Sequence, residues 1–170
     1  EAWAKLAMVL QQLGRLDEAL ESYDRALAIR PDQADTWNGR GAALQRLDQL
    51  DAALESFNRA LALKPAYVGA LFNRGIVLQG LNRQHEALAS YDQALALKPD
   101  YPEAWLNHGL TLQSLDRHDE ALASFDRALA LRPAYAEALN NRAIALQALN
   151  RPAEALASCD RALALRPDFA

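Results

Sequence analysis

Residues 103–133 read EAWLNHGLTLQSLDRHDEALASFDRALALRP, and this segment contains the pattern on which the predicted fold depends. Related stretches recur along the chain with a period of 34 residues. The residues that carry this period are a proline at Pro31, Pro65, Pro99, Pro133 and Pro167 and an alanine at Ala19, Ala53, Ala87, Ala121 and Ala155. Five repeats therefore fill the 170 residues as one domain, at about 1–33, 34–67, 68–101, 102–135 and 136–170.

Each repeat is predicted to be a pair of α-helices. Apolar residues such as Trp105, Gly109 and Leu112 lie three and four positions apart, which is typical of one buried helix face. A second helix is expected to begin near Asp119, whose carboxylate suits an N-cap, and to end before Pro133. The small residues Gly109 and Ala121 are expected to mark where the two helices approach closely. Between the two helices lie residue types that tolerate a left-handed backbone: Gly14, Asp48, Asn82, Asp116 and Asn150.

The composition agrees with an all-α protein and excludes several partners. The chain contains 36 Ala and 31 Leu, both good helix formers. No apolar run approaches the roughly 18 residues that a membrane span needs. Sixteen of the 18 basic residues lie at repeated positions, and the net charge is −4, so no basic stripe is left for nucleic acid. The single Cys159 cannot form an internal disulfide, which suits a cytoplasmic protein.

Residues that recur in every repeat are interpreted as structural, and little chemistry is left over. The second helices share a serine column without a His and an Asp that recur beside it, as a catalytic nucleophile would require. His85, His108 and His118 lack the spacing of metal ligands. We therefore expect no enzyme active site, no cofactor and no metal.

The order of residue types resembles the tetratricopeptide repeat: Trp, Gly and Leu in the first helix, then Ala, an aromatic residue, Ala and Pro. This resemblance covers the whole chain. It implies a right-handed superhelical solenoid of five helix-turn-helix repeats, in which the first helices line a concave groove. Cys159 departs from the pattern, because it replaces the aromatic residue.

A second departure concerns four positions where the family usually has Leu, namely Arg40, Arg74, His108 and Arg142. We interpret the arginines as partly buried rather than ligand-binding. Their expected partners on a nearby second helix are Asp24, Asn58, Asp92 or Asp160.

The groove implied by the resemblance is rich in amide side chains, which can pair with both the N–H and the C=O of an extended peptide. The glutamines of this face are Gln11, Gln45, Gln79, Gln113 and Gln147, and the asparagines are Asn73, Asn107 and Asn141 with Asn38 and Asn140. Phe72 and Leu106 are expected to add apolar contacts, as are Met8, Ala42, Ile76, Leu110 and Ile144. For the glutamines an alternative is that Gln is simply a good exposed helix former. Asn is a poor helix former with no local reason to recur within a helix, which favours a functional role.

The sequence favours a scaffold that binds an extended peptide or a partner protein, and two alternatives stay open. The asparagines are similar to the ladder in the arm of O-linked N-acetylglucosamine transferases, so the chain could be the substrate-recognition arm of such a bacterial enzyme. The Lys and Asn clamp of chaperone-tail-binding members is not expected, because Ala4 and Gly69 occupy two of its positions. The other alternative is a self-assembling element. We read the chain as a fragment without a final capping helix, which leaves Leu163, Leu165 and Phe169 partly bare as a homo-oligomer contact.

Overall fold

The computed structural model describes residues 1–166, and within them it contains α-helices and no strand. The helices are α1 Ala2–Gln12, α2 Leu16–Ile29, α3 Ala34–Arg46, α4 Leu50–Leu63, α5 Val68–Gly80, α6 Gln84–Leu97, α7 Pro102–Ser114, α8 His118–Leu131, α9 Ala136–Ala148 and α10 Pro152–Leu165. The five predicted pairs are therefore confirmed. Pro167 and Phe169 lie outside the described residues, whereas Leu163 and Leu165 are exposed as expected.

The chain divides into two compact units, one of Glu1–Ala94 and one that begins at Leu95. In the first unit α1 packs on α2 and α3 on α4, while α2 contacts α3 and α4 contacts α5. In the second unit α7 packs on α8 and α9 on α10, and α8 contacts α9. Within each unit the first helices of neighbouring repeats also touch, as α1 with α3 and α7 with α9.

The turn inside each pair is closed as predicted by one residue in the left-handed conformation. Asp116 has φ 57° and Gly14 has φ 76°. The same holds for Asp48, Asn82 and Asn150. After Asp116, the Arg117 N–H donates to the Leu112 carbonyl oxygen at 3.0 Å, and the Asp116 N–H donates to the Gln113 carbonyl oxygen at 3.1 Å. These two bonds form a Schellman motif and satisfy the last carbonyls of α7.

The expectation that Asp119 caps α8 is wrong. Helix α8 begins at His118, and its N-cap residue is Arg117, which makes no side-chain capping bond. The Arg117 carbonyl oxygen already accepts the Ala121 N–H at 3.0 Å, so the helix starts directly after the left-handed turn. Asp119 is then the second residue of the first turn, where a carboxylate still complements the helix dipole.

The core of repeats two to four is built from a ring of the second helix placed against a glycine of the first helix. Phe125 and Ala121 are fully buried. A Cβ atom added to Gly109 would lie 2.6 Å from the Phe125 ring, closer than carbon atoms can approach. The prediction that Gly109 and Ala121 mark a close approach of helices is thus confirmed. Within the described residues, no helix is long and apolar enough to cross a membrane.

Candidate ligand-binding groove

Two of the arginines that depart from the repeat pattern, Arg40 and Arg142, join the second helices of successive repeats. Arg40 Nε donates to Asp24 Oδ1 at 2.7 Å, and Arg40 Nη1 donates to Ser56 Oγ at 2.8 Å. Arg142 Nε donates to Asp126 Oδ1 at 2.6 Å, and Arg142 Nη1 donates to Ser158 Oγ at 2.7 Å. The expected partner Asp24 is confirmed. For Arg142 the partner is not one of the four expected residues, because the side chain reaches back to the preceding repeat and pairs with Asp126.

The same contacts explain the serine column without catalysis. Each of these serines is buried, and its hydroxyl donates to the carbonyl oxygen four residues earlier at 2.9–3.0 Å. The members are Ser22, Ser56, Ser90, Ser124 and Ser158. In the last four, the hydroxyl also meets the arginine or histidine of the first helix in its own repeat.

An open groove of about 920 Å³ lies between α1 and α3 in the first unit. Met8 and Ala42 supply apolar surface, and Met8 is 56% exposed. Gln11 and Asn38 supply amides, and Tyr67 lines the groove from the turn before α5. The groove thus has the mixture of apolar and amide side chains that the sequence predicted, although Tyr67 was not among the predicted residues.

The Gln11 side of the groove is held by contacts within the protein. The Tyr23 hydroxyl donates to Gln11 Oε1 at 2.7 Å, and Arg46 Nη1 donates to the Gln11 carbonyl oxygen at 2.8 Å. A Cβ atom on Gly39 would lie 2.6 Å from the Tyr23 hydroxyl oxygen, so this position has no room for a side chain. The Gln11 oxygen is therefore occupied, while its amide nitrogen has no partner among the described residues.

The electrostatics of the groove are mixed. The Tyr67 hydroxyl hydrogen-bonds to the Asp35 carboxylate, and burial together with this carboxylate raises the pKa of Tyr67 to about 12. The Lys64 ammonium lies 4.5 Å from the centre of the Tyr67 ring. The charged lining residues are Glu1, Asp32 and Asp35 against Lys5 and Arg46, a sum of −1. Such a lining favours no strongly charged ligand.

The glutamine column is only partly available to a ligand. In repeats one and three, Gln11 and Gln79 accept the hydroxyls of Tyr23 and Tyr91. This corrects the expectation that every glutamine offers its whole amide to a peptide. In repeat four the ring is Phe125, which has no hydroxyl, and Gln113 Oε1 is buried without a hydrogen-bond partner among residues 1–166. Gln45 is half-buried, and Gln147 is exposed.

The asparagines have a local partner that the sequence reasoning missed. The Nδ2 atoms of Asn107 and Asn141 each donate to the carbonyl oxygen one turn earlier, Glu103 and Glu137, at 2.8 Å. An Asn side chain within a helix commonly bonds to the carbonyl oxygen four residues earlier. This bond corrects the expectation that Asn has no local reason to recur within the first helices. Asn73 Nδ2 lies 3.5 Å from Asn38 Oδ1, at the limit of a hydrogen bond. Asn140 is half-buried in α9.

The two apolar side chains expected to contact a ligand differ in exposure. Phe72 is half-buried, and its ring centre lies 6.0 Å from that of Tyr91. Leu106 is 2% exposed and cannot contact a ligand, so its assignment to the site is wrong. Its periodicity was compatible with either face, and packing buries it. Ile144 on α9 is 44% exposed.

The geometry defines a helical-hairpin repeat protein with an open groove on its first helices. The model of the tetratricopeptide repeat family matches residues 1–66 and 100–168, and a second model of the repeat matches residues 80–116. The chain belongs to the tetratricopeptide repeat family.

Solved structures of this family superpose closely on the chain. The crystal structure of MamA has a TM-score of 0.90 at 20% identity, covering 95% of this chain and 94% of that one. MamA (41 to the end) from Desulfovibrio magneticus RS-1 has a TM-score of 0.92 at 18% identity, covering 99% and 96%. YrrB, described as a TPR protein with an unusual peptide-binding site, has a TM-score of 0.86 at 26% identity, covering 98% and 86%. No curated protein sequence matches the chain.

Proposed function

We propose that the chain is a protein-interaction scaffold that holds an extended peptide segment of a partner in the groove between α1 and α3. The observation that carries this proposal is the open groove of about 920 Å³, lined by apolar and amide side chains. This volume is at the upper end of the range typical of ligand sites, roughly 300–1,000 Å³. The peptide-binding site of the related YrrB supports the same function.

The chemistry of the groove suits main-chain recognition with one apolar anchor. The Asn38 carboxamide and the free amide nitrogen of Gln11 can pair with peptide C=O and N–H groups whatever side chains the peptide carries. Met8 and Ala42 lie on facing helices and offer a flexible apolar surface for one side chain of the ligand. Recognition of this kind needs no catalytic group, cofactor or metal.

In the second unit we propose the same role for the first-helix face of α7 and α9. Asn107 and Asn141 are held in place by their bonds to the preceding turn, which lowers the entropy lost when they bind a ligand. Asn141 Oδ1 has no partner among the described residues and can accept a peptide N–H. Ile144, one turn further on, adds exposed apolar surface. Asn140 and Gln147 complete the proposed contact set of the second unit, and Asn73 and Gln45 are proposed contacts of the first unit.

The test starts from a random peptide library selected on the immobilised chain. Affinities of the enriched peptides are then measured by calorimetry for wild type, Asn38→Ala and Met8→Ala. Gln49→Ala is the matched control, because Gln49 is an exposed amide that makes no side-chain capping bond and does not line the groove. Asn38→Ala should weaken all peptides by about 0.5–1.5 kcal/mol, the net value of one hydrogen bond. Met8→Ala should discriminate among them.

Two results would count against the proposal. One is a library selection that enriches no peptide over the bare matrix. The other is wild-type affinity in an Asn38→Ala, Met8→Ala double variant whose circular dichroism is unchanged, since that would place the binding surface outside this groove.

A further inference from the structure

A second cavity, of about 180 Å³, lies in the first unit among α4, α5 and α6. It shares no lining residue with the groove between α1 and α3. Its polar lining residues come from three helices and one turn. They are Asn58 of α4, Arg74 of α5, Arg83 directly before α6, and Glu86 and Ser90 of α6.

Arg74 occupies the position that Arg40 and Arg142 occupy in repeats two and five, but it lacks their carboxylate. Those two arginines each place Nε 2.6–2.7 Å from an aspartate that precedes them by 16 residues. The residue 16 positions before Arg74 is Asn58, whose side chain is neutral. The repeat therefore keeps the cation of this pair and loses its anion.

The guanidinium of Arg74 has turned to other partners. Its Nε donates to Ser90 Oγ at 2.9 Å, and its Nη2 lies 3.5 Å from Gln93 Oε1. Within residues 1–166, no carboxylate forms a salt bridge with Arg74. Burial lowers the pKa of Arg74, and the more distant Glu86 only partly offsets this effect. A half-buried cation with neutral partners is an unfavourable arrangement that an added anion would relieve.

The charge of the cavity limits the anion to a single negative charge. Arg83 and Glu86 form two hydrogen bonds of 2.7 Å with each other, so their opposite charges cancel. Arg74 then leaves a net charge of +1. A divalent phosphate would exceed this charge and meet the Glu86 carboxylate. A carboxylate matches both the charge and the planar fork of a guanidinium.

We propose that this cavity binds a carboxylate group, with Arg74 as its cationic partner and the Asn58 amide as a second donor. The bound group would take the place that the Asp24 and Asp126 carboxylates fill beside the equivalent arginines. The same chemistry has two sources, a free small carboxylate and the Asp or Glu side chain of a polypeptide. This inference is independent of the proposed peptide groove.

The test uses ¹⁵N NMR of the arginine Nε–Hε groups in the full chain, titrated with sodium acetate against sodium chloride at constant ionic strength and pH 7. The Arg74 resonance should shift in a saturable way with acetate alone. Arg40 and Arg142 serve as internal controls and should not move, because each already holds a carboxylate. In Asn58→Asp the internal carboxylate should weaken the acetate response at least tenfold and raise the Tm in the absence of acetate.

The source of the carboxylate is separated by a second titration with N-acetyl-aspartyl-N′-methylamide and its asparaginyl analogue. Saturation by the aspartyl compound but not by the asparaginyl one indicates a polypeptide side chain, and saturation by acetate alone indicates a free carboxylate. The proposal is overturned if no carboxylate saturates the Arg74 shift, if Arg40 responds equally, or if Asn58→Asp responds like wild type.

Discussion

Phe125→Tyr is expected to stabilise the protein, although it adds a polar atom to a buried ring. Phe125 is fully buried, and the Gln113 Oε1 of the same repeat is buried without a hydrogen-bond partner. In the third repeat the equivalent ring is Tyr91, whose hydroxyl donates to Gln79 Oε1. Both rings lie against a glycine of the first helix, Gly75 or Gly109, so the two pockets are built alike. A hydroxyl on residue 125 should therefore reach the unpaired oxygen.

The expected gain has two parts. A net hydrogen bond contributes about 0.5–1.5 kcal/mol, and an unsatisfied buried acceptor costs about 1–3 kcal/mol when left alone. The second part is partly offset, because the hydroxyl itself loses its hydration on burial. We expect a net stabilisation of about 1–2 kcal/mol. For a domain of this size, such a change raises the Tm by about 2–8 °C.

The assay is chemical unfolding followed by circular dichroism, applied to Phe125→Tyr, Gln113→Leu and the double variant. Phe57→Tyr is the matched control. The equivalent glutamine of that repeat, Gln45, is half-buried, and its Oε1 is not among the buried oxygens without a hydrogen-bond partner. The control should gain less than Phe125→Tyr. Because stability in repeat proteins is a sum over neighbouring repeats, fits should allow partial unfolding of single repeats.

The double-variant cycle decides the matter. A coupling energy near zero between the Phe125→Tyr and Gln113→Leu changes would show that the new hydroxyl does not reach the amide and would contradict this prediction. A destabilised Phe125→Tyr with unchanged Gln113→Leu would do the same, since it would show that the pocket has no room for the hydroxyl.

Two further changes test the packing and the tyrosines. Gly109→Ala should destabilise the chain by about 1–3 kcal/mol through the clash with the Phe125 ring. Gly69→Ala, whose added Cβ meets nothing closer than 3.5 Å, should be neutral or slightly stabilising. Equal melting temperatures of the two variants would contradict this prediction. Raising the pH should leave the free energy of unfolding unchanged up to about 10 and lower it above that. The folded pKa of Tyr67 is about 12, and burial also raises the pKa of Tyr91. Above pH 10 the folded state therefore retains protons that the unfolded chain releases. Urea unfolding at pH 8, 10 and 11 should show a shallower loss in Tyr91→Phe than in wild type, and an equal slope would exclude Tyr91 as a cause.

The helix pairs and their turns could be predicted from the sequence because they depend on neighbours along the chain. The left-handed residues at Asp116 and Gly14 follow from their residue types, and the Schellman bonds join atoms three to five residues apart. The 34-residue period predicted the helix pairs and the Gly109 contact for the same reason, since each repeat copies one local unit.

The candidate site was predictable only in part. The amide and apolar character of the first helices was visible from the register of Met8, Gln11 and Asn38, and all three line the groove. Leu106 shares that register and is nevertheless buried, since burial depends on which neighbouring helices cover a position. The role of Tyr67 beside Asp35 joins residues at the two ends of one repeat, and their approach depends on how the helices pack.

Hydrogen-bond partners across helices were decided by the tertiary structure alone. The hydrogen bond between Tyr23 and Gln11 joins residues 12 positions apart. Arg142 pairs with Asp126 rather than Asp160, because the second helix of the preceding repeat lies within reach of its guanidinium. Sequence spacing ranks such candidates equally, as the carboxylates repeat with the same period. The distance between side chains on separate helices is set by how those helices pack, and packing is a property of many contacts at once.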